Sequence, residues 1–520
     1  ASPCRWLSVD CFSGCLPVST EPMSTQKAAW FPSLHQAGEA IALVDGEWSL
    51  TYTELNDAVL RVVAGLLNGE ESLKEERVAF LYPASFDYAA LIIGVVAAGG
   101  IAVPLSVHAS AGELSHCLSV AGVRRLLLPS EMRSEALDDV CHELGVEQLA
   151  VEDLPEAEAP SALPLAGEQG ALIVFTSGTT GKPKGVVHTV ASVSAMVTSL
   201  IEAWGWEATD VIPLFLPLHH VHGIVNILLC ALWRGATVDL YARFDAEQVC
   251  QKVADDRYSV FMAVPTIYVK LIAYLKTLDE ATRDQVTEGF ANMRLNVSGS
   301  AACPVPLFDE WETLTSQRFL ERYGMTELGM ALSNPYEGER RPGHVGQPLP
   351  GVVIKRVSES GEEIIDPATP GELAVKSRTA FREYWGNPES TATAFADGWF
   401  LTGDIAVIDE GAYRILGRAS IDIIKSGGYK LSALEIEATL LEHPDVSEVA
   451  VIGVPDDEWG EIVAAAVVLA NSVSEDDLVR WSRERMSGYK VPREWIFAEA
   501  LPRNALGKVT KPSLSAWFEG

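Results

Sequence analysis

The sequence predicts an α/β fold: a large multi-subdomain N-terminal domain with mostly parallel sheets, followed by a small α+β C-terminal domain. Three observations predict it. The chain has 520 residues, 48% of them hydrophobic, more than a single core usually accommodates, so at least two domains are expected. Short apolar runs alternate with helical patterns through most of the length, as stacked βα units require. After Gly417 the pattern begins again with a glycine-bearing loop and an acidic helix.

Taken in order, Val78–Leu81 reads as a buried strand and Ala89–Ala98 as a buried helix, ended by Gly99 and Gly100 before a strand at Ile101–Val103. These glycines and Pro104 interrupt the apolar stretch Ala89–Leu105, so it is a helix followed by a strand and not a membrane span. Glu113–Val120 is the next helix and Arg125–Leu128 the next strand. Glu152–Gly170, dense in Pro, Glu, Ala and Gly, is a surface loop that delivers the chain to the strand Ala171–Phe175. In the strand Met293–Val297, alternation places Met293, Leu295 and Val297 on one face and Arg294 on the face of Ser298. A helix from Ser432 and strands at Val446–Gly453 and Ala464–Leu469 complete the small domain. The expected division is 1–22, an extension or a targeting remnant; 23–417, the large domain; and 418–520, the small one.

With 39 basic and 71 acidic residues the formal charge is -32, which repels phosphate backbones and anionic membranes. Neither a nucleic-acid partner nor stable membrane insertion is expected, and the chain should act as a monomer or small homo-oligomer. Eight cysteines without a CxxC pair make no disulfide framework and fit a reducing compartment, cytoplasmic or mitochondrial. Cys230, Cys250 and Cys303 lie in apolar or motif-bearing stretches and read as buried thiols.

The stretch richest in chemistry is Thr176-Ser177-Gly178-Thr179-Thr180-Gly181-Lys182-Pro183-Lys184-Gly185. Glycines let backbone N–H groups turn toward an anion, hydroxyls add donors, and Lys182 or Lys184 adds positive charge, a combination suited to a polyphosphate. It is not a Walker A loop, because Gly181-Lys182 is followed by Pro183 instead of Ser or Thr. His219, His220 and His222 have no Cys or carboxylate close in sequence to complete a zinc site.

This loop resembles the signature of the ANL superfamily of adenylate-forming enzymes. Further segments match that family in order: Pro217–Gly223, Tyr323-Gly324-Met325-Thr326-Glu327, Leu401–Asp404, Gly417-Arg418 with Gly427-Gly428-Tyr429, and Pro502–Lys508. The resemblance covers the chain from about residue 40 onward, and five ordered motifs are far more specific than one. It implies an acid–thiol ligase that uses ATP, Mg²⁺ and coenzyme A. A carboxylate attacks the α-phosphate to give an acyl-adenylate, and the acyl group then passes to the thiol.

By the same resemblance Lys508 reaches the α-phosphate, Thr326 donates to it, and Glu327 holds Mg²⁺ through a hard oxygen. Asp404 accepts from the ribose hydroxyls and Arg418 assists there. Tyr323 stacks on adenine, with Ser300 and Ala301 on the other side. His220 borders the thiol tunnel, while Ser426, Gly427, Gly428 and Tyr429 serve coenzyme A. The family rotates its small domain between half-reactions, which makes that domain mobile and places the pivot at Ala419-Ser420-Ile421.

Within the superfamily, Arg294–Ala301, Glu321–Glu327, Asn334–Gly338 and Arg341–Gly346 look most like malonyl-CoA synthetases. A dicarboxylate brings a second charge that a guanidinium is shaped to pair. Arg294 is the first candidate for that role, with Ser298 and His220 nearby, and Arg322 the second. The alternatives are a ligase for a short, medium-chain or aryl monocarboxylate, a carrier-protein-loading adenylation enzyme, and a luciferase-like oxygenase.

Overall fold

The computed structural model describes residues 31–35, 38–158, 165–176, 183–427, 429–456, 458–503 and 509–518. The segment 1–22 therefore lies outside the described residues, as do the phosphate-loop positions Ser177, Gly178, Thr179, Thr180, Gly181 and Lys182, together with Gly428 and Lys508.

Among the described residues, a seven-stranded sheet carries the first βα units. Its spatial order is Glu383–Tyr384, Lys184–Thr189, Gly170–Thr176, Ile101–Pro104, Arg77–Phe80, Arg125–Leu127 and Glu147–Leu149. The last five are mutually parallel. The buried helix runs Phe86–Ala97, started by Ser85, whose side chain accepts from Tyr88 N–H. At 12 residues it spans about 18 Å, and no described helix is long and apolar enough to cross a membrane. The following helix, Ala111–Ala121, opens with a reciprocal cap between Ser110 and Glu113.

A second layer begins with Trp48–Thr51, Ile41–Asp45, Thr237–Leu240 and Val211–Leu214. Ser259 N–H donates to Val211 O and links this layer to Val260–Ala263, Leu295–Ser298, Leu320–Met325, Gly329–Ser333 and Gln347–Pro348. One apolar core runs from Phe31 to Phe400 between these layers.

The expectation of mostly parallel sheets needs correction. A third sheet, Val352–Val357, Gly371–Ser377, Trp399–Asp409, Phe395–Ala396 and Ala412–Arg418, is antiparallel throughout, the first two layers contain antiparallel hairpins, and Glu383–Tyr384 adds an antiparallel edge from a distant part of the chain. Tight turns allow this between Ile41–Asp45 and Trp48–Thr51, Leu320–Met325 and Gly329–Ser333, and Trp399–Asp409 and Ala412–Arg418, since a parallel return needs a crossover of a dozen or more residues. Residues 424–518 build separate cores around Ile424, Leu431, Val451 and Val463 on one side and Ile452, Ala464 and Leu514 on the other. Ser432 caps the helix Ala433–Leu440, and the strands Val446–Asp456 and Gly460–Leu469 outrun the sequence expectation at their hairpin end.

Burial raises the thiol pKa of Cys230, Cys250 and Cys303, that of Cys250 to about 12, so these side chains act as core volume, not nucleophiles.

Gly289 supplies a test of core packing. In the helix Glu280–Asn292 alanine is intrinsically better than glycine by about 1 kcal/mol, but a Cβ there would stand 2.0 Å from Val253 O. Overpacking against backbone outweighs propensity, so Gly289→Ala should lower unfolding stability by about 2 kcal/mol in denaturant titration.

Candidate active site

The strand Leu320–Met325 turns at Thr326-Glu327-Leu328 into Gly329–Ser333, closed by Leu328 N–H to Met325 O. This hairpin brings most of the expected residues together. Tyr323 donates its hydroxyl to Asp404 Oδ2. Asp404 Oδ1 accepts from Arg418 Nε at 3.1 Å, and the two residues face each other across adjacent strands. Burial raises the Asp404 pKa, while Arg418 opposes that rise. Thr402 Oγ1 accepts Asp404 N–H at 3.1 Å, fixing the backbone beneath the carboxylate.

Glu327 is 7% exposed. One of its oxygens accepts the Tyr384 hydroxyl at 2.8 Å, and its carbonyl accepts Phe381 N–H at 2.8 Å. Burial raises its pKa. Lys184 Nζ lies 4.8 Å from the Tyr384 ring centroid, so one tyrosine joins the end of the phosphate-loop motif to the acidic residue of the hairpin. Thr176 pairs with Lys184 in antiparallel register, and both are part-buried. The carbonyl of Thr326 is held by His188 Nε2 at 2.7 Å. Burial brings the His188 pKa down to about 4, so its ring is neutral near pH 7, with Nε2–H as the donor. Tyr384 and His188 were not anticipated from sequence. Their partners lie 57 and 138 positions away, and the local cue was only an aromatic before the turn Gly386-Asn387-Pro388.

On the other side of the hairpin, Arg322 is 4% exposed. Its Nη2 donates to Ser300 Oγ at 3.2 Å, and His222 Nδ1 lies 3.1 Å from the same hydroxyl. A Cβ on Gly299 would fall 2.6 Å from the guanidinium carbon, so glycine lets the planar group lie against the backbone. Among the described residues, Arg322 Nε is buried without a hydrogen-bond partner. The neighbouring carboxylate, Glu321, belongs to the opposite face of the strand, where it accepts Gly343 N–H at 2.9 Å. Among the described residues no carboxylate forms an ion pair with Arg322, and burial alone lowers its pKa to about 10.

Arg294 is not in this site. The strand runs Leu295–Ser298, and Arg294 precedes it, with its N–H on Ser259 O. Its Nε donates to Asp210 Oδ1 at 2.7 Å, its Nη2 to Asp210 Oδ2, and its Nη1 to Trp204 O at 2.9 Å. Ser298 and Ser300 follow at the far end, about 13 Å along the strand. A guanidinium already paired with a buried carboxylate has no charge to spare for a ligand.

His220 is part-buried beside His219, their rings 4.1 Å apart. Ser426 and Tyr429 pair at the tip of a hairpin around Gly427, and Tyr429 stacks on Tyr489 at 4.7 Å and 7°. Ala301 is exposed next to Ser300, which holds φ +67°.

This arrangement pairs a buried carboxylate beside an aromatic ring with a second acidic group near a lysine. Its family is settled by comparison with known proteins. AMP-binding enzymes match residues 31–385, and the AMP-binding enzyme C-terminal domain matches 435–508. The chain belongs to the AMP-binding enzyme family. It is 42% identical to the mitochondrial malonate–CoA ligase ACSF3 of Homo sapiens, covering 97% of this chain and 95% of that one. Among solved structures it resembles ATP-bound MatB from Rhodopseudomonas palustris, with TM-score 0.84, 31% identity, and 94% and 98% coverage of the two chains. It also resembles a malonyl-CoA ligase ternary product complex with methylmalonyl-CoA and AMP, with TM-score 0.66, 36% identity, and 91% and 100% coverage. A large α/β domain followed by a smaller C-terminal domain agrees with the sequence expectation.

Replacing Arg294 with Met should leave the ratio of malonate to acetate use unchanged. It should cost about 3 kcal/mol of unfolding stability, since Asp210 would remain buried without its partner. Kinetics on both acids and a denaturant titration read the two effects separately.

Proposed function

We propose that this enzyme is a malonate–CoA ligase, forming malonyl-adenylate from malonate and ATP and then malonyl-CoA, with release of pyrophosphate and AMP. The observation that carries the substrate is Arg322, a buried guanidinium with no carboxylate partner among the described residues. A buried charge is costly until an anion meets it. The distal carboxylate of a dicarboxylic acid, held by Arg322 beside Ser300, His222 and Ser298, meets that need and leaves the proximal carboxylate to react. An apolar acyl chain would leave the cost in place. Homology to malonate–CoA ligases supports the same choice.

In the first half-reaction the free carboxylate oxygen attacks the α-phosphorus and the bond to pyrophosphate breaks. Asp404, fixed by Tyr323 and Arg418, is placed to accept from the ribose hydroxyls. Lys184 brings positive charge to the phosphates, and Lys508 is assigned to the α-phosphate and reacting carboxylate. Glu327 suits Mg²⁺: it offers a hard oxygen ligand beyond the one taken by Tyr384, and this ion commonly keeps water and substrate phosphates as its other ligands. Bound there, the metal supplies charge neutralisation on the phosphates. In the second half-reaction the coenzyme A thiol attacks the acyl carbon and the bond to AMP breaks, with His220 and the Ser426–Tyr429 hairpin on the thiol side.

The two half-reactions are assigned to two orientations of the segments 23–417 and 418–520, with the pivot at residues 419–421. Separate cores in residues 424–518 support this division. So does the difference in likeness to ATP-bound MatB, TM-score 0.84, and to the product complex of higher sequence identity, TM-score 0.66. Mitochondrial residence is proposed from the human relative's name.

The test is AMP and pyrophosphate release with ATP, Mg²⁺ and coenzyme A over malonate, methylmalonate, acetate, octanoate and 4-coumarate. Malonate should be preferred; preference for a monocarboxylate would discard the substrate assignment, and no dependence on coenzyme A would discard the thioester step. Arg322→Met should lower kcat/KM for malonate about a hundredfold and acetate use far less. Lys508→Ala should suppress adenylate formation while largely preserving conversion of supplied malonyl-AMP, and equal loss of both would refute the division of labour.

A further inference from the structure

Lys511 is almost buried, with an 11% exposed side chain, and its ammonium sits between two carboxylates. It lies 2.6 Å from Asp422 Oδ1 and 2.7 Å from Glu437 Oε1, and both acids are 14% exposed. Glu437 belongs to the first helix of the small domain and also accepts Val451 N–H at 2.7 Å. Asp422 closes the turn that links the domains. Its Oδ2 accepts Arg418 N–H at 3.0 Å, its own N–H donates to Arg418 O at 2.8 Å, and its carbonyl accepts Ala433 N–H. Arg418 then reaches Asp404. A continuous chain of charge-assisted bonds therefore runs from Lys511 through Asp422 and Arg418 to the carboxylate assigned to the ribose.

We propose that Lys511 is a positioning residue for the nucleotide site: by holding Asp422, it sets where Arg418 meets Asp404 and couples that contact to the body of the small domain. The inference rests on the assignment of Asp404 and Arg418 to ATP. Charged hydrogen bonds at 2.6–3.1 Å are the strong kind, and Lys511, Asp422 and Glu437 are largely buried, while the Arg418 side chain that carries the last link is 36% exposed. Exposed pairs elsewhere between the domains, such as Lys430 with the mostly exposed Glu359, contribute little. Arg414 with Glu435 at 2.6 Å and Ser432 with Leu416 O also join the domains, but the chain through Lys511 and Asp422 is the one that ends on Asp404.

The test uses the full chain with Asp422→Ala, Lys511→Met and the double variant. Asp422→Ala keeps the buried Lys511–Glu437 pair and should fold even where Lys511→Met, which strands Glu437, does not. In malonate-dependent pyrophosphate exchange, Asp422→Ala should raise KM for ATP at least about fivefold and leave KM for malonate within about twofold, because the chain ends at Asp404 and not at Ser300. In direct ATP titration by calorimetry, the double variant should bind no more than about twofold more weakly than Asp422→Ala, since residues acting in series do not add. Unchanged ATP affinity in Asp422→Ala, equal shifts in both KM values, or multiplicative losses in the double variant would overturn the proposal. Failure of the unaltered chain to bind ATP would overturn the nucleotide assignment along with it.

Discussion

The site depends on one constraint, the two-residue repeat of the strand Leu320–Met325. Successive side chains must leave a strand on opposite faces, so Arg322 and Tyr323 cannot serve one pocket. The guanidinium meets Ser300, and the phenol meets Asp404. The hairpin that follows adds Thr326 and Glu327 at its tip, and His188, Phe381 and Tyr384 hold that tip from three directions. Two neighbouring pockets on either side of one strand end suit a reaction that joins an acid to a nucleotide.

Burial gives these groups their character. Asp404 and Glu327 would be ordinary acids in water, but desolvation raises their pKa while donors and cations preserve a place for the charge. Arg322 is the unusual case, because desolvation acts on it with no opposing carboxylate among the described residues. Arg294 shows the contrast within the same sheet. Asp210 raises its pKa against the effect of burial, and the pair is complete.

Much of this was legible in the chain. Motif order located Tyr323, Thr326, Glu327, Asp404 and Arg418, and local patterns located the early strands and helices because each depends on neighbours a few positions away. What sequence could not supply was direction and partnership. Alternation was extended to Arg294, which the structure leaves just before the strand Leu295–Ser298, and Asp210, 84 positions earlier, decided the outcome. The sheets were expected to be mostly parallel because βα alternation dominates the first half. The antiparallel strands after Gly351 depend on pairings that no short-range pattern announces. Tyr384 was missed for the same reason.

The close fit of Arg322 over Gly299 bears on how such enzymes diverge. An aliphatic residue at position 322 would remove a charge but leave a void shaped like a guanidinium, lined on one side by bare backbone. A larger residue at position 299, by contrast, would be obstructed for as long as the arginine stays. Neither step alone yields a well-packed apolar pocket, so a lineage moving from diacids to simple acids has to cross a poorly packed intermediate or change both positions together. Under the proposed assignment of Arg322 to the distal carboxylate, the glycine makes acid preference a two-site trait, one that resists drift by single substitutions.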